Sequence, residues 1–172
     1  MIEKSTIQKV LIHFMNNPSK EFHLRELSRL LKLSMPTIIS ATSALSREGW
    51  IIRTKSKVVT KVRANIENVN FIRQKRIHNL EKTYNSGIVD YLSRAYKYPK
   101  GIILFGSFSR GDDVENSDVD IAVLTEKRKE LNLEPYEKLL EKSISIHEIS
   151  LDKIGKEFKS NLTNGIMLEG SW

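Results

Sequence analysis

Cysteine is absent from the 172 residues, which excludes disulfide staples and thiolate metal sites and leaves only oxygen or imidazole ligands for a metal. No apolar run approaches the roughly 18 residues of a membrane-spanning helix. The start, Met1-Ile2-Glu3-Lys4, lacks the basic region and apolar block of a secretory leader, so the cytoplasm is the expected location. Cys/His zinc spacing, a Walker-type glycine loop, internal repeats and low-complexity tracts are likewise missing. What remains is enough for one ordinary domain or two small ones, with 40% hydrophobic residues to build cores.

Charge is present and unevenly divided. Residues 1–100 carry 19 Lys/Arg against 7 Asp/Glu, whereas residues 101–172 carry 9 against 14. A basic front of this size suits a polyanionic partner, because neutralising phosphates releases counterions. The plain alternative is a solvated basic surface.

Helical spacing of Ile7, Val10, Leu11 and Phe14 predicts a first helix, stopped by Asn16-Asn17-Pro18. The period resumes from Phe22 to Leu31. Ser34 then caps a third helix with Pro36 in its first turn and Ile38, Ala41, Thr42 and Leu45 on its buried face. Two strands, 50–54 and 58–64, follow around a Lys55-Ser56-Lys57 turn. Three helices and a basic hairpin resemble the winged-helix family of helix-turn-helix domains, over Phe22 to Ala64. That resemblance implies a third helix in the major groove and a wing on phosphates. The residues so placed are Met35, Thr37, Ser40 and Ser43 on the helix, and Arg53, Lys55, Lys57 and Lys61 on the wing. The helix face lacks Arg and Asn/Gln readers, which argues against strong base specificity. A winged helix used for dimerisation or protein contact is the other reading.

Residues 65–84 are expected to form a connector helix with Ile66, Val69, Ile72, Ile77 and Leu80 on one side, followed by a helix over 86–96. Beyond the break at Tyr98-Pro99-Lys100-Gly101, Ile102-Ile103-Leu104-Phe105 is short and wholly apolar, as in a buried strand.

Directly after that strand comes Gly106-Ser107-Phe108-Ser109-Arg110-Gly111, and then Asn116-Ser117-Asp118-Val119-Asp120-Ile121-Ala122-Val123-Leu124. A glycine and a small hydroxyl at a strand end let backbone N–H groups approach phosphate oxygens. Asp118 and Asp120, two apart on a strand, project from one face while Val119 and Ile121 face the core. Paired carboxylates repel unless neutralised, and Mg²⁺ is commonly held by one or two carboxylates plus phosphates. Strand, Gly-Ser, ten residues and Asp-x-Asp on an apolar strand resemble the DNA polymerase β-type nucleotidyltransferase superfamily, in wording close to its minimal members. The resemblance spans about residues 100–172, with its signature in 106–124. It implies that Gly106 and Ser107 hold a triphosphate, that Asp118 and Asp120 bind two Mg²⁺, and that an acceptor hydroxyl attacks the α-phosphate. Arg110 is a further candidate phosphate contact.

Members of that superfamily usually add a third carboxylate from a later strand. Residues 143–149 supply the strand, with Glu148 as the carboxylate. Alternation, however, puts Ile144, Ile146 and Glu148 on one face and Ser143, Ser145 and His147 on the other. If the isoleucines are buried against helices, His147 points to the metal side. Glu148 serves if the strand ends or bulges after Ile146. A helix over 135–142 and a partly helical segment over 151–168, interrupted at Asn164-Gly165, close the chain.

The expected fold is α+β: a winged helix-turn-helix over 1–64, a helical connector over 65–99 and a nucleotidyltransferase-type mixed sheet with helices over 100–172. Two functions fit. One is an enzyme with DNA binding that moves a nucleoside monophosphate from a triphosphate, ATP first among them, to a hydroxyl acceptor. The other is a DNA-binding regulator, or by resemblance an antitoxin-like protein, with an impaired transferase domain. The partners are then duplex DNA, a nucleoside triphosphate, and a protein acceptor, toxin or second copy of the chain, but no membrane.

Overall fold

In the computed structural model, residues 5–56, 59–150 and 152–171 are described, apart from the Glu157 side chain. The chain divides into two units, residues 1–72 and 73–172. Among the described residues, no helix is long and apolar enough to cross a membrane.

The first unit begins with α1 (Thr6–Asn16). Its capping box pairs Ser5 and Gln8 in both directions, so two otherwise unpaired donors are satisfied. A short strand β1 (Glu21–His23) precedes α2 (Leu24–Leu31), where the sequence predicts helix from Phe22 onward. Tertiary pairing overrides helical period here: Phe22 is buried opposite Val62, and the Glu26 carboxylate accepts from His23 N–H to start the helix one residue later. α3 (Met35–Arg47) is capped by Ser34 and buries Ile38, Ala41, Thr42 and Leu45, as its periodicity predicts. β2 (Ile51–Lys55) and β3 (Thr60–Ala64) form the hairpin, and the antiparallel sheet runs β1-β3-β2. Trp50 stays outside it, its N–H donating to Leu45 O. Val10, Phe14, Leu27, Ile38, Val62 and Phe71 are the centre of this core.

α4 (Val69–Ser86) starts later than predicted. Asn68 Oδ1 accepts from the N–H groups of Asn70 and Phe71, and Asn65 and Asn68 both donate to Gly49 O. Its buried stripe also differs. Ile66, Val69 and Ile77 are exposed, whereas Lys75, His78, Asn79, Thr83 and Ser86 are buried. Lys75 and Asn79, on the part of α4 that belongs to the second unit, are inside because they meet the polar partners described below, and Thr83 and Ser86 donate to carbonyls of the helix itself.

In the second unit, α5 (Ile88–Ala95) buries Ile88, Val89 and Leu92. β4 (Gly101–Phe105) is buried throughout and runs into the short helix α6 (Gly106–Arg110). β5 (Val119–Leu124), α7 (Glu134–Leu140), β6 (Ile144–Ile149), α8 (Lys156–Thr163) and β7 (Ile166–Gly170) complete it. The sheet order is β6-β5-β4-β7, with β5 and β6 parallel and the other pairs antiparallel. Val119, Ile121, Val123 and Ile144 pack with α5 and α7 on one face; Ile103, Phe105, Ala122 and Leu124 meet Leu162 and Phe158 of α8 on the other. The final apolar stretch, expected within a partly helical segment, is therefore an edge strand. At Gly165 a Cβ would meet Leu104 O at 2.8 Å, so the close turn that brings β7 against β4 excludes a side chain.

Candidate functional site

Register brings the Gly-Ser turn to the second aspartate. Phe105, the last residue of β4, pairs with Asp120 near the start of β5. The chain leaves β4 through Gly106 at φ +73°, where a Cβ would lie 3.2 Å from Asp120 Cγ and closer still to Oδ2. Gly106 is thus required twice, for its left-handed backbone and for the room it leaves the carboxylate. Ser107 and Asp120 are partly buried and Asp118, one residue before β5, is exposed. Val119 and Ile121 are fully buried, so the aspartates alternate outward as predicted. Arg110 is exposed and pairs with Asp112, Nε to Oδ2 3.1 Å.

β6 separates the two candidates for a third ligand. Asp120 pairs with Ser145 and Ala122 with His147, so Ser145 and His147 share the face of Asp120. His147 Nε2 lies 3.4 Å from Asp120 Oδ1. The approach is not aligned as a hydrogen bond, and Nε2 is buried without a hydrogen-bond partner. Glu148 is not brought to the aspartates. It accepts at 2.7 Å from the Tyr96 hydroxyl and at 2.7 Å from Lys129 N–H, on the α5 side of the sheet. Burial, and then this carboxylate, push the Tyr96 phenol well above its ordinary pKa. Among the described residues, no three His, Asp or Glu side chains converge into a ready-made metal cage.

The loop that joins the Gly-Ser turn to the aspartates is held by residues that no sequence motif marks. Asp113 is 3% exposed. Its carboxylate accepts from Lys75 Nζ and, at 2.7 Å, from Asn79 Nδ2, which also donates to Phe108 O. Lys142 Nζ lies 3.3 Å from Asp113 Oδ2 and donates to the carbonyls of Val114 and Ser117. Burial lowers the Lys75 pKa, while the bond to Asp113 opposes that shift. Lysines at 75 and 142 lie 67 residues apart in the sequence, and only the fold brings them to one carboxylate.

In the first unit, the predicted nucleic-acid contacts have mixed fates. Ser40 and Lys55 are exposed, Met35 and Thr37 half-buried, and Lys57 lies outside the described residues. Ser43 Oγ accepts from Arg53, and Lys61 pairs with Glu21 at 2.7 Å. The Thr37 hydroxyl shares a 2.7 Å bond with the capping Ser34. A cleft of about 630 Å³ is lined by His23, Arg25, Arg29, Met35 and Thr60 among others. Arg25 and Arg29 add cations beside Met35 that the helix-and-hairpin pattern does not predict.

Comparison with curated proteins and with solved structures yields no match. Residues 86–167, from the end of α4 into β7, match the family model of a nucleotidyltransferase domain, so the second unit is similar to a family of transferases over the elements that carry Gly106, Ser107, Asp118, Asp120 and His147.

Proposed function

We infer that the second unit transfers a nucleoside monophosphate from a nucleoside triphosphate, ATP first among them, to a hydroxyl acceptor. The observation that carries this reading is the close fit of Gly106 to the Asp120 carboxylate at the end of β4, within the matched segment. The donor set fits a divalent ion: two outward carboxylates near a phosphate-sized turn are what Mg²⁺ commonly takes, with phosphates filling the remaining positions. Asp118 and Asp120 would hold it, and when bound it would offset charge on the attacking and leaving oxygens. The Gly106 backbone and Ser107 hydroxyl bind and orient the triphosphate. Asp113, with its two lysines, keeps the intervening loop in place. The acceptor oxygen bonds to the α-phosphorus as the bond to the β-phosphate oxygen breaks, and pyrophosphate leaves.

The first unit is read as a winged helix that binds duplex DNA through α3, the hairpin and the cations at Arg25 and Arg29. A second reading, a DNA-binding regulator or antitoxin-like protein with an impaired transferase, draws support from Glu148, which faces away from the aspartates. Incubation of the full chain with α-labelled ATP, a divalent ion and candidate acceptors separates the two. Label moved to an acceptor by wild type and not by Asp120→Asn supports the enzyme; no transfer to protein, nucleic acid or small hydroxyl compound favours the regulator.

A further inference from the structure

His147 is an imidazole where a carboxylate is expected. Its ring meets Phe105 edge-on at 5.1 Å between centroids and Phe158 at 5.8 Å. Against those rings the imidazole, its side chain 37% exposed, places Nε2 toward Asp120. Nε2 is buried without a hydrogen bond, and a polar nitrogen left so costs about 1–3 kcal/mol, a cost that an ion shared with the neighbouring carboxylate would offset. Two ligand atoms each about 2.1 Å from one ion lie about 3.0 Å apart at a right angle and about 3.4 Å apart at a tetrahedral angle. The observed separation is 3.4 Å. Glu148 offers no competing ligand from this strand, because Tyr96 and Lys129 hold it on the opposite face.

Exchanging carboxylate for imidazole changes which ion is favoured. Mg²⁺ prefers oxygen ligands, whereas imidazole binds first-row transition ions with affinity rising along the series. We propose that His147 Nε2 and Asp120, joined by Asp118, form a mixed imidazole–carboxylate site that takes a first-row transition ion in preference to Mg²⁺. This rests on the reading of the two aspartates given above. Asp118 is the ligand that must turn in, and as an exposed side chain at a strand entrance it has room to do so.

The test uses Mn²⁺ with the full chain and no nucleotide. Binding is followed by electron paramagnetic resonance, with Mg²⁺ as competitor, and pulsed measurements report whether nitrogen touches the bound ion. Wild type should bind Mn²⁺ more tightly than Mg²⁺, through the imidazole that Mg²⁺ does not favour, and show ¹⁴N coupling. His147→Gln, which keeps most of the ring's volume between the two phenylalanines, should lose the coupling and most of the preference. His147→Asp should bind Mg²⁺ better than wild type does. Absence of Mn²⁺ binding, absence of ¹⁴N coupling, or an unchanged Mn²⁺-to-Mg²⁺ ratio in His147→Gln would overturn the proposal. If Asp120→Asn abolishes Mn²⁺ binding while the His147 variants leave it unchanged, the aspartate site stands and only the imidazole ligand is wrong. If Asp118→Asn and Asp120→Asn both bind Mn²⁺ as wild type does, the aspartate reading fails as well.

Discussion

At the scale of single residues, Gly106 links backbone conformation to the site. Its left-handed φ of +73° costs an L side chain roughly 1–2 kcal/mol, and a Cβ would also displace the Asp120 carboxylate. Gly106→Ala should therefore lower the thermal midpoint and weaken metal-dependent nucleotide binding together. An Ala variant with wild-type melting and binding would show that the carboxylate does not rely on this gap. His13 gives a pH-dependent counterpart in the first unit. Its ring packs on Phe22 at 4.7 Å, and burial, reinforced by Lys20 and opposed by Glu26, lowers its pKa from 6.5. The folded state thus favours neutral His13 more than the unfolded state does. Its contribution to stability is fully present above about pH 6.5 and is lost as pH falls through the lower folded value. His13→Phe should flatten the fall in melting temperature between about pH 7 and 5; an equally steep fall in the variant would remove His13 as its source. The nearness of Gly106 to Asp120 was legible in sequence because it follows directly from a strand, a turn and an antiparallel strand. The choice between His147 and Glu148 was not, since alternation assigns faces within β6 but not the register that sets one of them beside Asp120.

At the scale of elements, α4 shows where apolar periodicity misleads. Ile77 suits an inward stripe by spacing, yet it is 58% exposed while Lys75 is 1% exposed. The reason is Asp113: a buried carboxylate that bonds Lys75 and Asn79 makes the polar face the inner one. Removing one partner of such a pair strands the other charge. Lys75→Met should destabilise the second unit by about 3–5 kcal/mol, and Lys75→Met with Asp113→Leu should recover part of that loss. Ile77→Lys should stay within about 0.5 kcal/mol of wild type. Denaturant unfolding of the three variants checks both claims, and a larger loss from Ile77→Lys than from Lys75→Met would reverse the assigned faces. α3 was legible because cap, proline and apolar stripe agree at every level. β7 was not, because Ile166-Met167-Leu168 is an unbroken apolar run that fits helix or buried strand until its pairing to β4 is known.

At the scale of the whole molecule, the charge split at residue 100 falls inside the second unit: residues 1–72 carry 12 Lys/Arg against 5 Asp/Glu and residues 73–172 carry 16 against 16, and α4 runs across the division. A fragment from Asn65 onward keeps α4 whole and should unfold cooperatively by itself; an unfolded fragment beside a stable full chain would mean that the units share one core. For the first unit, duplex-DNA affinity should fall steeply with salt. Arg53→Ala and Lys55→Ala should each reduce the logarithmic salt slope, by about 0.9 for every phosphate no longer neutralised. Binding that is insensitive to salt, or absent at low salt, would contradict the DNA reading. The central claim concerns the two aspartates of the second unit, and thermal melting with ATP tests it most directly. Wild type, Asp118→Asn and Asp120→Asn would be melted with and without ATP, each in the presence of Mg²⁺, Mn²⁺ or neither. Asparagine removes charge at nearly constant volume, so the variants should fold, and relief of carboxylate repulsion should leave their metal-free melting equal to or above wild type. Wild type should gain a metal-dependent stabilisation by ATP that both variants lose; equal metal-dependent shifts in all three proteins would remove Asp118 and Asp120 from the site and contradict the transferase account.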